Sequence, residues 1–271
     1  MQQTQHSGGS ATRWGTLFGE RARDWAETWE GAKGYGTPLY DHVLDRAKIG
    51  SGSHVLDCGC GAGRFVRMAA DRGASVAGID AAEGLLAIAT ERTPSGDFRV
   101  GDIEALPWPD ESFDVVTGFN AFQFADDKAQ ALAEARRVSH GPVAVVIPTR
   151  AAESGIALVF KPLFPLFPPD ALESMKQSGI FALSEPGKLE ETLAAAGLTA
   201  YDDDEIVLSI VFDDADAAER AFVGAGPTAV AIRNSGEQAV AQAVRDALAP
   251  FIGKDGRVAL PAWYRVVLAR A

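Results

Sequence analysis

Residues 53–65, Ser-His-Val-Leu-Asp-Cys-Gly-Cys-Gly-Ala-Gly-Arg-Phe, constrain this chain more than any other stretch. His54-Val55-Leu56 is too short and too apolar to start a helix and reads as a buried strand. Gly59, Gly61 and Gly63 follow at a spacing of two. Three missing Cβ atoms permit positive φ and let backbone approach a ligand closely. A helix predicted over about Gly61 to Arg72 begins there, with free N–H groups and a positive dipole end. Dinucleotide folds use such a loop in the pattern G-x-G-x-x-G, with a pyrophosphate on the helix start. Here Arg64 stands at the third glycine position, and Asp57 lies two residues before the first. A carboxylate there repels a pyrophosphate and suits a ligand that carries an ammonium group.

In these residues the chain resembles the class I S-adenosylmethionine-dependent methyltransferases. Their first motif is an acidic residue, any residue, then G-x-G-x-G, which Asp57, Gly59, Gly61 and Gly63 match position by position. The resemblance implies that Asp57 lies near the methionine end of the cofactor, with Cys58, Gly59, Cys60, Gly61 and Gly63 as the loop around it. Ser75 to Asp80 reads as a second buried strand ending in an acid. Asp80 falls 21 residues beyond Gly59, about the offset at which a carboxylate takes ribose hydroxyls in nucleotide folds. The resemblance gives Asp80 that task, with Ala81 beside it. Gly101-Asp102-Ile103-Glu104, with Leu106-Pro107 after it, resembles the family's adenine-binding segment. Asp102 then accepts from the adenine amine and Ile103 covers a ring face. Asn120 and Ala121, where a fourth strand ends, complete the implied cofactor set. The resemblance covers about residues 53–148. It implies S-adenosylmethionine as cofactor and S-adenosylhomocysteine as product.

Along the chain, residues 1–12 carry nothing to bury and are expected to be a disordered tail. Residues 13–52 read as a helical arm, broken at Gly31–Gly34 and around Pro38, with a helix from Thr37 to Arg46. The arm carries Trp14, Trp25 and Trp29. Either they staple it to the rest, or one or two stack on the cofactor or close over a substrate. The cofactor core, 53–148, continues with helices at Ala81–Arg92 and to about Val138, the latter capped by Asp126 or Asp127. Its further strands are Phe98–Val100, Phe113–Phe119 and Val143–Ile147. Strands and helices alternating at this interval imply a parallel sheet with helices on both faces, doubly wound by right-handed crossovers. Residues 149–182 contain Phe160-Lys-Pro-Leu-Phe-Pro-Leu-Phe-Pro-Pro169. The prolines exclude a helix interior and a central strand. The segment is either a cap or lid over an acceptor, or a loop covering the sheet edge. Residues 183–271 supply helices at Glu185–Ala196, Asp213–Val223 and Gly236–Leu248, and strands at Glu205–Phe212 and Arg257–Ala269. With the family resemblance, which makes the last two strands a sixth and an antiparallel seventh, the fold expected for 13–271 is one Rossmann-like, seven-stranded, mostly parallel sheet with an antiparallel last strand, an N-terminal helical arm and inserted cap segments.

Charge and composition narrow the function. A net charge of −12 over 271 residues argues against nucleic acid, which is held by clustered Lys and Arg. The two cysteines, Cys58 and Cys60, sit two apart with no His/Cys cluster, so neither a disulfide nor a metal is expected. The N-terminus lacks the apolar core of a signal peptide, and no apolar run reaches membrane-spanning length. A cytoplasmic protein without membrane contacts is the expectation; oligomeric state is not readable.

Methyl transfer from a sulfonium is an in-line displacement in which positioning supplies most of the rate. A base is needed only if the nucleophile must lose a proton, and no catalytic signature stands out. His54 and His140 sit at the amino ends of strands, away from where ligands bind. Asn120, Gln123, Arg150 and Glu153 lie nearer the ligand end. An aromatic acceptor pocket is expected from Trp25, Tyr35, Gln123, Phe124, Phe164 and Phe167. The leading reading is methyl transfer to an O, N or C atom of a small, largely apolar acceptor. The alternatives are a non-methylating reaction with the same cofactor (cyclisation, decarboxylation or rearrangement) and a non-catalytic binding partner.

Overall fold

The computed structural model describes residues 9–31 and 34–271. His6 and the first eight residues of the expected tail lie outside them. The arm starts with α1 (Ser10–Gly19), followed by α2 (Ala22–Thr28) and α3 (Thr37–Arg46). Ser10 and Trp14 are already buried, so the tail expectation fails at residues 10–12. Their side chains have something to pack on, the strand ends described below. The arm also breaks once more than the sequence suggests, at Glu20–Arg21.

The core runs β1 (His54–Cys58), α4 (Arg64–Asp71), β2 (Ser75–Asp80), α5 (Glu83–Arg92), β3 (Asp97–Val100), β4 (Val115–Phe119), α6 (Lys128–Val138) and β5 (Val143–Pro148). Every residue of β5 is buried, as expected of a parallel strand covered on both faces. α4 begins three residues later than the glycines suggest, because Gly61 and Gly63 hold left-handed φ values of 55° and 79° that no helix can continue. It then buries Phe65, Val66 and Ala69 as one stripe. α6 is capped by Asp127, whose carboxylate accepts the Gln130 N–H at 2.9 Å.

Residues 149–182 are helical in pieces: α7 (Gly155–Phe160), a 3-10 segment over Lys161–Leu166 and α8 (Pro169–Gln177). The prolines are accommodated at first turns, where the missing N–H is not needed, and inside the 3-10 segment. α9 (Lys188–Ala195), β6 (Thr199–Phe212), α10 (Ala215–Val223), α11 (Thr228–Ser235), α12 (Glu237–Leu248) and β7 (Val258–Arg270) complete the chain. β6 is longer than its apolar half suggests. Its acidic start, Asp202 to Glu205, pairs with β7 as well, held by Arg265 to Asp203 and Arg46 to Asp202.

All seven strands form one sheet in the order β3-β2-β1-β4-β5-β7-β6. β1 to β5 are mutually parallel and β7 runs antiparallel to both neighbours. The first half of β7 extends past β5, and Pro261 there faces β6 alone, which is where it is tolerated. Strand order reverses between β1 and β4, so their carboxyl ends open a crevice, the place where such sheets bind ligands. No described helix is long and apolar enough to cross a membrane.

Candidate functional site

A cavity lies at that crevice, floored by strand ends and roofed by the arm. Asp57, the fourth residue of β1, is 3% exposed. Its hydrogen bond among the described residues is from the Thr117 hydroxyl on β4, at 2.7 Å. Burial pushes its carboxyl well above the usual range, and the nearby charges of Glu30 and Asp80 add to the shift. Asp80, at the end of β2, accepts the Gly61 N–H at 2.9 Å and the Ala82 N–H at 2.8 Å. It is also raised by burial, against those hydrogen bonds. Gly59, Cys60, Gly61, Ala81, Gly101, Asp102, Ile103, Asn120 and Ala121 line the same cavity. Asn120 holds a left-handed φ of 53° at the end of β4. Its side-chain amide donates to the Tyr35 hydroxyl at 3.3 Å.

The arm supplies the opposite wall. Gly15 packs on the end of β2 so closely that a Cβ would lie 2.4 Å from the Ala81 carbonyl oxygen. Trp14 donates to the Phe124 carbonyl at 3.1 Å, and Trp14, Phe18, Trp25 and Phe124 meet ring against ring. Trp25 donates at 2.7 Å to Glu30, whose carboxylate reaches the glycine loop. Glu30 accepts the Ala62 N–H at 2.9 Å and the Arg64 N–H at 3.2 Å. Trp29 is buried and donates to the Ala221 carbonyl at 2.8 Å. All three tryptophans line the cavity, and Trp14 and Trp29 also fasten the arm to backbone carbonyls. Sequence reasoning missed Glu30, because the loop N–H groups that recruit it are 32 and 34 residues away. The signal available was an acid in an aromatic-rich arm beside a loop with spare N–H groups.

Several expected site residues are elsewhere. Cys58 is fully buried in the sheet core. Gly63 faces α5, where a Cβ would meet the Cβ of Ala89 at 2.8 Å, so its missing side chain serves helix packing. Gln123 is buried and donates to the Ile180 carbonyl at 3.3 Å, behind the wall. Phe164 is 41% exposed and Phe167 only 4%, the first facing solvent and the second in the core. The cap contributes Ile156, Phe160 and Ile180 instead, and the turn after α10 adds Ala225 and Pro227, which the sequence did not suggest. Trp25, Tyr35 and Phe124 do line the cavity. Arg150 pairs with Glu205 at the surface. His42 meets Asp204 on β6, and His140 meets Asp114, both away from the cavity. No group of His, Cys, Asp or Glu among the described residues is arranged to hold a metal.

The family described as methyltransferase domain matches residues 56–143, from β1 to the start of β5. A longer match decides the family. Over 185 residues the chain is 32% identical to a malonyl-(acyl-carrier protein) O-methyltransferase of Pseudescherichia vulneris, covering 67% of this chain and 68% of that one. The chain belongs to the class I S-adenosylmethionine-dependent methyltransferase family. An enzyme of the same name from Serratia marcescens is 35% identical over 114 residues, 42% of this chain and 45% of that protein. The chain spans about half the length of the first curated relatives it matches. Among solved structures, the 4+2 cyclase SpnF superposes with a TM-score of 0.56 at 21% identity, over 86% of this methyltransferase-family chain and 80% of its own. At that identity the likeness concerns the fold.

Proposed function

We propose that this protein transfers a methyl group from S-adenosylmethionine to a small, uncharged and largely apolar acceptor. The observation that carries the reading is Asp57, a buried carboxylate in a ligand-sized crevice that among the described residues is answered by the Thr117 hydroxyl. Such a group demands a cationic or donating partner, and an amino acid's ammonium supplies one. The residues present fit the rest of the cofactor. Asp80 lines the cavity where ribose hydroxyls can reach it, Asp102 and Ile103 suit an adenine edge and face, and Gly59 and Gly61 bring loop backbone to the cavity wall at left-handed φ.

When bound, the sulfonium supplies an electrophilic methyl carbon. Transfer would give that methyl to an electron-rich atom of the acceptor and leave the carbon–sulfur electron pair on sulfur. An O–H or N–H acceptor also releases a proton. The chain's part is placement. Phe119, Asn120 and Tyr35 bound the cavity from β4 and the arm, and Phe160, Ile156 and Ile180 close it from the cap. Tyr35 stays protonated, because burial raises its hydroxyl and nearby Glu30 adds to that, so it serves as a donor and not as a base.

No Lys, Arg or His lines the cavity among the described residues, whereas Glu30, Asp57, Asp80 and Asp102 do. This lining suits a neutral acceptor. It does not suit the carboxylate of a free malonyl group, although relatives are named for malonyl carriers. The test is incubation with S-adenosylmethionine and matched neutral and carboxylate-bearing aromatic acceptors, with products read by mass. A gain of one methylene unit on a neutral acceptor is expected. Cofactor binding with a rearranged, unmethylated product would overturn methyl transfer.

A further inference from the structure

Glu30 is not required by any cofactor contact described above. It comes from the arm, not from a strand end, and is 8% exposed. Three N–H groups converge on its carboxylate, from Trp25, Ala62 and Arg64. Arg92 Nη1 lies 3.6 Å from it, but that guanidinium is turned to the carbonyls of Ala62 and Ala26 and does not line the cavity. The start of α4, where a dinucleotide fold seats a phosphate, is therefore filled by an anion of the chain itself. Glu30 lines the cavity together with Asp57 and Asp80. Burial is the main cause that raises Asp57, Tyr35 and Tyr40, and the charge of Glu30 adds to each.

We propose that Glu30 makes the arm a charge-reading wall of the cofactor site, favouring the sulfonium form of the cofactor over its neutral thioether product. The inference rests on the S-adenosylmethionine reading above. S-adenosylmethionine and S-adenosylhomocysteine carry the same ammonium and carboxylate and differ by one methyl and one positive charge at sulfur. A fixed carboxylate in a poorly screened cavity distinguishes them through that charge. Transfer of the methyl removes the attraction, so the arm holds the substrate form more tightly than the spent form. If Glu30 merely fastened the arm, its loss would weaken both ligands by the same factor. The ratio of the two affinities therefore separates the roles.

Calorimetry with both ligands on the full chain and on Glu30→Gln tests this. The variant is expected to lose roughly tenfold more affinity for S-adenosylmethionine than for S-adenosylhomocysteine. Glu30→Asp, which keeps the charge, is expected to retain most of the preference even where it loosens the arm. Equal losses for the two ligands in Glu30→Gln would overturn the proposal. If Glu30→Gln does not fold, Arg92→Gln probes the same field from the other side. Removing that neighbouring cation is expected to widen the preference, and an unchanged ratio would overturn the proposal. Failure of the unmodified protein to bind either ligand overturns the cofactor reading itself, a distinct result.

Discussion

The two walls of the cavity are built in opposite ways. The floor is made of strand ends. Asp57, Asp80, Gly101 and Asn120 are held by a parallel sheet whose register fixes them before any ligand arrives. The roof is an arm of short helices, α1 to α3, that has no strand of its own and is held by side chains. Trp14, Trp29 and Glu30 each reach a backbone group of the core, and Arg92 returns the contact to Ala26. A floor set by backbone pairing tolerates the loss of a side chain. A roof set by side chains does not, and its residues belong to the ligand site only while it is docked.

The strongest test of this difference is Gly61, where floor and roof touch. A Cβ there would lie 2.2 Å from the Glu30 carboxylate, at a φ that side chains disfavour. Gly61→Val is expected to abolish detectable cofactor binding by calorimetry, a loss of more than about 3 kcal/mol combining strain and roof displacement. The sheet should survive, with circular dichroism close to native. Retained binding would mean that the roof is dispensable.

Asp80 comes next. Asp80→Ala is expected to cost about 2–4 kcal/mol of cofactor affinity, since hydrogen bonds to a charged acceptor are the strong kind. Because Asp80 also holds the Gly61 and Ala82 N–H groups, a lower melting temperature should accompany the loss. Unchanged affinity would remove Asp80 from the site.

Gly15 isolates the roof. Inside a helix, alanine is favoured over glycine by about 1 kcal/mol, so Gly15→Ala should help α1 alone. Against Ala81 it cannot dock as closely. Cofactor affinity is expected to fall about tenfold, with the melting temperature little changed. A variant that binds as well as the parent would show that the arm does not form the site.

The smallest effect is the pH response. Asp57, Glu30 and Asp80 are all pushed above their ordinary values, burial being the largest cause. Asp57, shifted furthest and answered by the Thr117 hydroxyl, then holds a proton in the folded ligand-free protein that the unfolded chain has released, so stability falls as pH rises through that window. Carboxylates paired at the surface, such as Asp97 and Glu190, are shifted the other way. They lose their contribution only as pH falls toward and below their ordinary range. The ligand-free protein is expected to melt a few degrees higher near pH 5.5 than near pH 8. Bound cofactor should flatten the difference, because its ammonium favours ionised Asp57. A melting temperature that rises with pH would contradict the buried charges.

The same division explains what the sequence disclosed. Asp57, Asp80 and Asp102 were legible because β1, β2 and β3 end where short-range signals say they end, and a parallel sheet aligns those ends automatically. The last strand was legible from its apolar run, with Pro261 marking its first half as edge, whereas its antiparallel direction came with the family resemblance. Glu30 was not, since only the folded loop reveals which N–H groups lack partners. Phe164 and Phe167 misled for a related reason. Aromatic content marks a segment as one that covers something, but the turns within it decide which ring faces where, and here Phe160 lines the cavity while Phe167 packs into the core. Gly63 looked like a ligand glycine because the spacing that serves ligand approach also serves the packing of α4 on α5.

The most direct test of the account is a crystal structure with S-adenosylhomocysteine. The account predicts the ligand in the crevice between β1 and β4, its ammonium on Asp57, its ribose on Asp80, its adenine beside Asp102 and Ile103, and the arm docked over it through Trp25 and Glu30. Density for the ligand elsewhere, or in the crevice with the arm displaced from the glycine loop, would contradict it.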